Sequence, residues 1–128
     1  MIMPQQTKTR ILIVDDSFTT RTLEKNILES AGYEVRVAAD GLEGWRRLQE
    51  GGVDLLVSDV NMPHLDGFEL TAKVRGDSRL KNLPIVLVTS LDSPEDRELG
   101  VRAGADAHIV KGSFDQDNLL EAIRRLIS

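Results

Sequence analysis

Polar side chains stand directly after four apolar runs of the sequence. Asp15 and Asp16 follow the first run, Asp59 follows the third, and Thr89 and Lys111 come at the ends of the fourth and fifth. If these runs are parallel strands, their carboxyl ends share one edge of the sheet, where such sheets bind ligands. Three carboxylates held close together repel each other unless a cation joins them. Mg²⁺ suits this set, because it prefers hard oxygen ligands and often combines carboxylates with phosphate oxygens.

Phosphoryl transfer is the chemistry that these residue types favour. The Asp59 carboxylate can act as a nucleophile and carry an aspartyl phosphate. Lys111 would supply positive charge and Thr89 a hydroxyl donor, since catalysis of this reaction is mostly positioning and charge neutralisation. A second interpretation applies to the first acidic pair: Asp15 and Asp16 cap the helix that follows, which is compatible with binding a metal.

The apolar runs indicate the elements that position these residues. Five runs rich in Val, Ile and Leu alternate with longer amphipathic stretches, as in strands covered on both faces and joined by helices. The chain is therefore predicted to be an α/β protein of (βα)5 form, a doubly wound three-layer sandwich around one parallel sheet. The five predicted strands are Ile11–Val14, Val35–Ala38, Asp54–Ser58, Ile85–Thr89 and Ala107–Val110.

The spacing of apolar residues also predicts which faces of the helices turn inward. Ser93 followed by Pro94 is typical of a helix start, and Asp115 is a candidate cap for the last helix. Leu23, Ile27 and Ala31 form a stripe of the first predicted helix, and Leu42, Trp45 and Leu48 form a stripe of the second. Phe68, Ala72 and Arg75 indicate a third helix, and the last helix has the inner face Leu119, Ile123, Leu126 and Ile127.

Composition narrows the function classes. The chain has 128 residues, which suits one domain, and its net charge of −5 argues against a broad attraction to nucleic acid or anionic membranes. It has no cysteine, which excludes disulfides and thiolate metal sites within it. The start lacks the apolar core of a signal peptide, so we expect a cytoplasmic protein. Residues 1–9 are predicted to be a flexible lead-in and residues 10–128 a single domain.

Four motifs carry a resemblance to a known family. They are LIVDDS (Leu12–Ser17), LVSDVNMPHLDGFEL (Leu56–Leu70), VLVTS (Val86–Ser90) and GADAHIVK (Gly104–Lys111). In order and spacing the sequence resembles a CheY-like receiver domain of the two-component response regulators. The resemblance implies a flavodoxin-like fold whose five parallel strands have the order 2-1-3-4-5.

The resemblance also implies roles for the acidic residues. Asp59 resembles the phosphoacceptor of the family, which takes a phosphoryl group from a histidine kinase or its phosphotransfer domain. Asp15 and Asp16 resemble the pair that holds Mg²⁺ together with Asp59. Asn61 resembles the residue whose backbone carbonyl completes the metal site.

Further matched positions imply a conformational switch. Thr89 and Lys111 resemble the pair that binds the phosphoryl oxygens and transmits their presence. The expected output surface lies on the fourth helix, fifth strand and fifth helix, where an output partner or a fused kinase would bind. No direct nucleic-acid or membrane partner is expected.

Two positions depart from the common family pattern, and two others occupy places that affect how long the phosphoryl group lasts. Gly112 stands where receivers usually have a proline, so we expect an altered loop after Lys111. His108 stands where many receivers have an aromatic switch residue; it can rotate in the same way, or it can be a half-exposed strand residue without a signalling role. Leu91 and Asn61 occupy positions that tune phosphoryl lifetime, and since a leucine cannot orient water, we expect slow dephosphorylation.

Two long runs resemble a particular branch of the family. Asp15–Trp45 and His108–Ile127 are similar to the receiver fused to CheA-type hybrid chemotaxis kinases. A stand-alone CheY-like regulator and a phosphate sink remain alternatives. A haloacid-dehalogenase-type phosphatase is a remote alternative, because Asn61 stands where its second acid would be. An FMN-binding flavodoxin is disfavoured, since Asp15 and Asp16 would repel a phosphate.

Overall fold

Strands and helices alternate along the whole described chain. The computed structural model describes residues 8–90, 93–111 and 116–127. The strands are β1 (Arg10–Val14), β2 (Glu34–Ala38), β3 (Leu55–Asp59), β4 (Ile85–Thr89) and β5 (Ala107–Val110). The helices are α1 (Phe18–Ser30), α2 (Gly41–Gln49), α3 (Gly67–Arg75), α4 (Pro94–Ala103) and α5 (Gln116–Ile127). These bounds agree with the predicted strands within one residue at either end.

The five strands form one parallel sheet of order β2-β1-β3-β4-β5. Val14 pairs with Ala38 and Ser58, and Thr89 pairs with Val110, so the strands end at one edge. The predicted fold class and strand order are confirmed. Residues that directly follow the strands therefore meet at this edge, as the sequence predicted for the polar set.

Two apolar clusters cover the two faces of the sheet. One joins α1 and α5 to alternate strand residues, among them Ile11, Ile13, Val57 and Ile109. The other joins α2 and α3 to the residues between them, such as Leu12 and Leu56. Because successive strand residues point to opposite faces, β1, β2, β3 and β4 contribute to both clusters, whereas β5 contributes to the α1/α5 cluster.

The apolar stripes of the first two helices coincide only partly with the faces that are buried. In α1, Leu23 is 50% exposed, and the buried residues are Glu24 and Leu28. In α2, Leu42 is 47% exposed, while Gly44 is buried so close to the sheet that a Cβ on it would lie 2.8 Å from a Val14 methyl. Apolar spacing cannot identify a face that glycine or a buried acid occupies.

The third helix lies where Phe68, Ala72 and Arg75 indicated it, but its buried residues are others of the same stretch. Ala72 is exposed, and Leu70, Thr71 and Val74 are the residues of this stretch that are buried. Thr71 reaches this position because its hydroxyl donates to the Gly67 carbonyl at 2.7 Å. The turn before it places Asp66 in a capping box with Glu69, which fixes the start of α3.

Arg75, the last residue of α3, joins three other segments of the chain through its guanidinium. Its Nε donates to the Gly104 carbonyl at 2.9 Å, and its Nη1 donates to the Leu83 carbonyl at 2.7 Å. Its Nη2 pairs with Asp106 at 2.9 Å. One guanidinium thus joins the end of α3 to the turn between α4 and β5, where Gly104 has a φ of +101°.

The last two helices agree with their predictions. Ser93 caps α4 by accepting from the Asp96 N–H, and Pro94 occupies the first turn. In α5, Leu119 and Ile123 are fully buried, and Leu126 and Ile127 pack against the same cluster. The candidate cap Asp115 lies outside the described residues.

Candidate functional site

Strand alternation directs the two buried aspartates to the same face of the sheet. Asp15 continues the series Ile11, Ile13 along β1, and its N–H still donates to the Ala38 carbonyl at 3.1 Å. Asp59 ends β3 two residues after Val57. Both side chains are therefore on the side that α1 and α5 cover, and they are 1% and 6% exposed.

Lys111 approaches the two carboxylates from β5. Its Nζ lies 3.5 Å from Asp15 Oδ2 and 3.4 Å from Asp59 Oδ2. Since Ile109 belongs to the α1/α5 cluster, Lys111 two residues later points to the same side. The structure thus gives the lysine that ends this apolar strand two buried partners.

The pKa values of Asp59 and Lys111 are both raised, but for different reasons. Burial, and then the Asp15 charge, raises the pKa of Asp59 to about 6, although Lys111 and the Val60 N–H act against this. Burial alone would lower the pKa of Lys111, but Asp59 and Asp15 outweigh it and raise that pKa. Lys111 therefore stays charged at neutral pH, and Asp59 loses its proton as the pH rises through about 6.

The acidic residues form a cluster that fits a divalent cation. One carboxylate oxygen each from Asp15, Asp16 and Asp59 lies within 4.8 Å of the others. Opposite ligands of Mg²⁺ are about 4.2 Å apart, given metal–oxygen distances of about 2.1 Å. Asp15 Oδ2 is buried and has no hydrogen-bond partner in the described part of the chain. Asp16 is exposed, so a cation could enter from solvent and satisfy the buried oxygen.

Ser17, rather than Asp15 or Asp16, is the residue that caps α1. Ser17 is the N-cap of α1 and accepts from the Thr20 N–H at 3.3 Å. Asp15 Oδ1 accepts from the Ser17 N–H at 2.8 Å, and its other oxygen faces Lys111. Asp15 therefore orders the loop with one oxygen and leaves the second available to the site.

The turn after Asp59 orients its carboxylate. Asp59 Oδ1 accepts from the Val60 N–H at 2.8 Å, so Oδ2 is the oxygen that faces Lys111. Gly67 allows the turn to close, because a Cβ there would overlap the Asp59 carbonyl. Asn61 follows two residues after Asp59 with an exposed side chain; the metal role of its backbone carbonyl stays a prediction.

Thr89 lies at the edge of the sheet that carries the acidic cluster, whereas His108 lies beneath α4. Thr89 ends β4 and is fully buried at the same edge of the sheet as Asp59. His108 points to the opposite face from Lys111, since its Nδ1 would lie 3.3 Å from a Cβ on Gly100 of α4, beside Leu87. Both of its ring nitrogens are buried. The structure thus separates His108 from the carboxylates and puts it beneath α4.

Two predicted positions fall outside the described residues. Leu91, which was expected to slow dephosphorylation, lies in the gap between β4 and α4. Gly112, with its expected change of loop geometry, lies in the gap between β5 and α5. Both expectations stay predictions.

Glu24 is a neighbour of the site that the sequence analysis missed. It is 1% exposed, and burial, and then the Asp15 charge, raises its pKa to about 8. Asp59 raises the same pKa, while Lys111 lowers it. Its position four residues before Leu28 could have indicated that it shares the buried face of α1. The stripe of Leu23 and Ile27 instead indicated a different face of this helix.

Comparison with known proteins identifies the family. The model of the family described as "Response regulator receiver domain" matches residues 11–124. The chain belongs to this family. Receiver domains are phosphoacceptors of two-component signalling, which interact with histidine kinases or phosphotransfer proteins and with output partners. The match favours this interpretation over the phosphatase and flavodoxin alternatives.

Individual relatives agree with this assignment. The chain is 39% identical over 123 residues to a gliding motility regulatory protein of Myxococcus xanthus, covering 96% of this chain but 16% of that protein. It is 39% identical over 104 residues to the chemotaxis protein CheY1 of Helicobacter pylori, covering 80% of this chain and 84% of that protein. The chemotaxis response regulator CheY4 of Vibrio cholerae superposes with a TM-score of 0.88 at 40% identity, covering 94% of this chain and 100% of that one.

The described helices are those of a receiver domain and include no candidate membrane span. None of them, within residues 8–90, 93–111 and 116–127, combines the length and apolar character needed to cross a membrane.

Proposed function

We propose that Asp59 takes a phosphoryl group from a histidine kinase or its phosphotransfer domain, with Mg²⁺ held by Asp15, Asp16, Asp59 and the Asn61 backbone carbonyl. The observation that carries this proposal is the position of Lys111, whose Nζ is within 3.5 Å of both buried carboxylates. A lysine and three clustered acids at the carboxyl edge of a parallel sheet suit the transfer of a charged group.

The reaction uses Asp59 as the nucleophile. Its carboxylate oxygen attacks phosphorus, the bond from phosphorus to the donor nitrogen breaks, and the donor imidazole takes up a proton. A bound Mg²⁺ would neutralise charge on the acids and the phosphoryl oxygens. The Val60 N–H holds one Asp59 oxygen, so the other is presented to the donor in a fixed direction.

Lys111 and Thr89 then respond to the new group. A phosphoryl dianion attracts Lys111 more strongly than the carboxylates alone, and the Thr89 hydroxyl can donate to it. This shifts a two-state equilibrium of the surface formed by α4, β5 and α5. A groove of 420 Å³ on this surface, lined by Arg97, His108, Asn118 and Glu121 among others, suits an output partner with groups of both charges.

The test is phosphorylation with a small phosphodonor and Mg²⁺, in wild type and in Asp59→Asn. Asp54→Asn is a matched control, because Asp54 is exposed and directly precedes the same strand at its opposite end. We expect wild type and the control to take label and Asp59→Asn to take none. Equal labelling of Asp59→Asn and wild type would refute the proposal.

The biological setting that we propose is chemotaxis-type signalling in the cytoplasm, with this domain as the receiver of a hybrid CheA-type kinase. It is supported by the similarity to the Myxococcus protein, in which the matched segment is 16% of the length. The stand-alone alternative is supported by CheY1, which is matched over 84% of its length. The neighbouring coding sequence distinguishes them: a kinase fused in frame favours the hybrid, and a separate gene favours the regulator.

A further inference from the structure

The loop after Asp59 contains a strained turn. The Leu65 N–H donates to the Pro63 carbonyl at 2.8 Å, which closes a turn of three residues around His64. His64 has a φ of +71°, and in the described part of the chain it is the one residue other than glycine with a positive φ. A γ-turn with positive φ is rare and strained. A residue with a side chain keeps such a backbone only where the surrounding structure holds it there.

The first turn of α2 holds this turn from one side. Gly41, the first residue of α2, is buried so close to the loop that a Cβ on it would overlap the Leu65 carbonyl oxygen and lie 2.8 Å from the Leu65 Cβ. Leu65 is 7% exposed and belongs to the α2/α3 cluster. Asp40 caps α2 by accepting from the Glu43 N–H at 2.8 Å, which fixes where the helix begins. The helix start therefore rests directly on the backbone of the strained turn.

Other contacts attach the same loop to the phosphoacceptor. The Gly67 N–H donates to the Val60 carbonyl at 2.9 Å, and the Val60 N–H donates to Asp59 Oδ1 at 2.8 Å. Val60 and Met62 are buried in the α2/α3 cluster, on either side of the exposed Asn61. The backbone at Asn61 is thus held from both sides by the loop. A displacement of the turn would therefore move the Asn61 backbone as well.

We propose that Gly41 is a positioning residue of the phosphoacceptor site. Because it has no side chain, α2 can press against the strained turn at His64, and this contact keeps the Asn61 backbone carbonyl in place for Mg²⁺. The inference rests on the proposed Mg²⁺-dependent phosphorylation of Asp59. Gly41 is not a ligand in this proposal, since it acts through the backbone of the loop. Residues that orient a metal ligand commonly change metal affinity by about 10- to 100-fold when they are replaced.

The first experiment replaces Gly41 by alanine and measures Mg²⁺ affinity by titration calorimetry on the full chain. Alanine favours a helix more than glycine does, so a loss of affinity would not come from α2 itself. We expect the dissociation constant for Mg²⁺ to rise about tenfold. The amide NMR signals of Val60 and Asn61 should shift before any Mg²⁺ is added. Unchanged affinity in folded Gly41→Ala would overturn the proposal.

Gly104→Ala is the matched control for this variant. Gly104 has a φ of +101°, and a Cβ on it would lie 2.9 Å from the Arg75 Cγ, so alanine there is also strained. It precedes β5 and is therefore at the edge of the sheet opposite the site. Gly104→Ala should lower the melting temperature but bind Mg²⁺ as tightly as wild type. A general loss of stability would thus be distinguished from a displaced loop.

The second experiment changes the strained turn itself. His64 is exposed, so His64→Gly and His64→Val both remove the imidazole without opening the core. Glycine adopts a positive φ freely, whereas a β-branched residue strongly disfavours it. We expect His64→Gly to bind Mg²⁺ as tightly as wild type and His64→Val to bind it about tenfold more weakly. Equal affinities of the two variants would overturn the proposal, and this comparison is decisive if Gly41→Ala does not fold.

The proposed function and this inference fail in different ways. Phosphoryl uptake by wild type is measured in parallel with a small phosphodonor and Mg²⁺. If wild type takes no label, the function of Asp59 is wrong, and the inference falls with it. If wild type takes label and either experiment gives unchanged Mg²⁺ affinity, only the role of Gly41 is overturned.

Discussion

Two helices, α1 and α5, cover the same face of the sheet, but they bury different kinds of residue. The inner face of α5 is apolar, with Leu119, Leu120 and Ile123 at most 7% exposed. That of α1 combines Leu28 with the buried acid Glu24. The difference indicates that α5 stabilises this layer, whereas the buried acid of α1 lowers stability when it is ionised. The following predictions test this division, from the largest expected effect to the smallest.

Truncation of α5 should reduce stability and leave the site intact. Ile123→Ala removes a fully buried side chain, which should lower the free energy of unfolding by about 3–4 kcal/mol because of lost burial and a residual cavity. Urea denaturation measures this. Val101→Ala is the control, since Val101 is 74% exposed and its loss should change stability little. A marked fall in the Mg²⁺ affinity of folded Ile123→Ala would contradict the division.

Replacement of the buried acid in α1 should raise the free energy of unfolding, in contrast to truncation of α5. The folded state holds the Glu24 proton more tightly than the unfolded state, so wild-type stability should fall as pH rises from 4.5 to about 8. The Glu24→Leu variant should not show this pH-dependent loss of stability, because leucine does not titrate. At pH 8.5 it should therefore be more stable than wild type by about 2–3 kcal/mol. Chemical denaturation at pH 5 and pH 8.5 measures the gain, with Glu29→Leu as the exposed control. A gain of the same size at both pH values would argue for packing alone.

Replacement of Lys111, whose ammonium group lies between Asp15 and Asp59, should affect both stability and signalling. Lys111→Ala leaves Asp15 and Asp59 facing each other without compensation, so we expect a loss of about 1–2 kcal/mol at pH 7, reduced because the lysine side chain is 28% exposed. Phosphorylation can persist, but the shift of the α4–β5–α5 surface should weaken, which NMR shifts on that surface would detect. Lys81→Ala, at an exposed position, is the control. Full activation of Lys111→Ala would contradict the coupling role.

The smallest expected effect is the response of wild-type stability to Mg²⁺. The cation binds ionised carboxylates, and the pKa of Asp59 is raised to about 6. At pH 7.5, saturating Mg²⁺ should therefore raise the free energy of unfolding by roughly 1 kcal/mol, as a weakly bound ligand does, and the melting temperature should rise with it. At pH 5 the ion should have little effect. A Mg²⁺ effect that did not change between the two pH values would indicate that the ion binds elsewhere.

Much of the fold was accessible from the sequence, because strands buried on both faces are nearly continuous apolar runs. The positions of Asp15, Asp59, Thr89 and Lys111 at the strand ends followed from the same runs. The strand order came from the family resemblance rather than from the pattern.

Three features could not be predicted from apolar spacing. Gly44 is buried because it lets α2 approach β1, and Thr71 because its hydroxyl bonds to its own helix. Glu24 is buried beside charges that come from three different strands. Each depends on neighbours that are remote in sequence or on groups that hydrophobicity does not describe.

The attachment of α4 has a mechanical consequence. Gly100 is its buried residue, while Leu99 and Val101 are 46% and 74% exposed, so this helix contributes little to the core. Its C-terminal end, in contrast, is tied by Arg75 to α3 and to β5 through the Gly104 carbonyl and Asp106. The helix is thus held mainly at its Gly104 end, and Gly100 packs against His108. Amide hydrogens at the Pro94 end should therefore exchange with solvent sooner than those of α5.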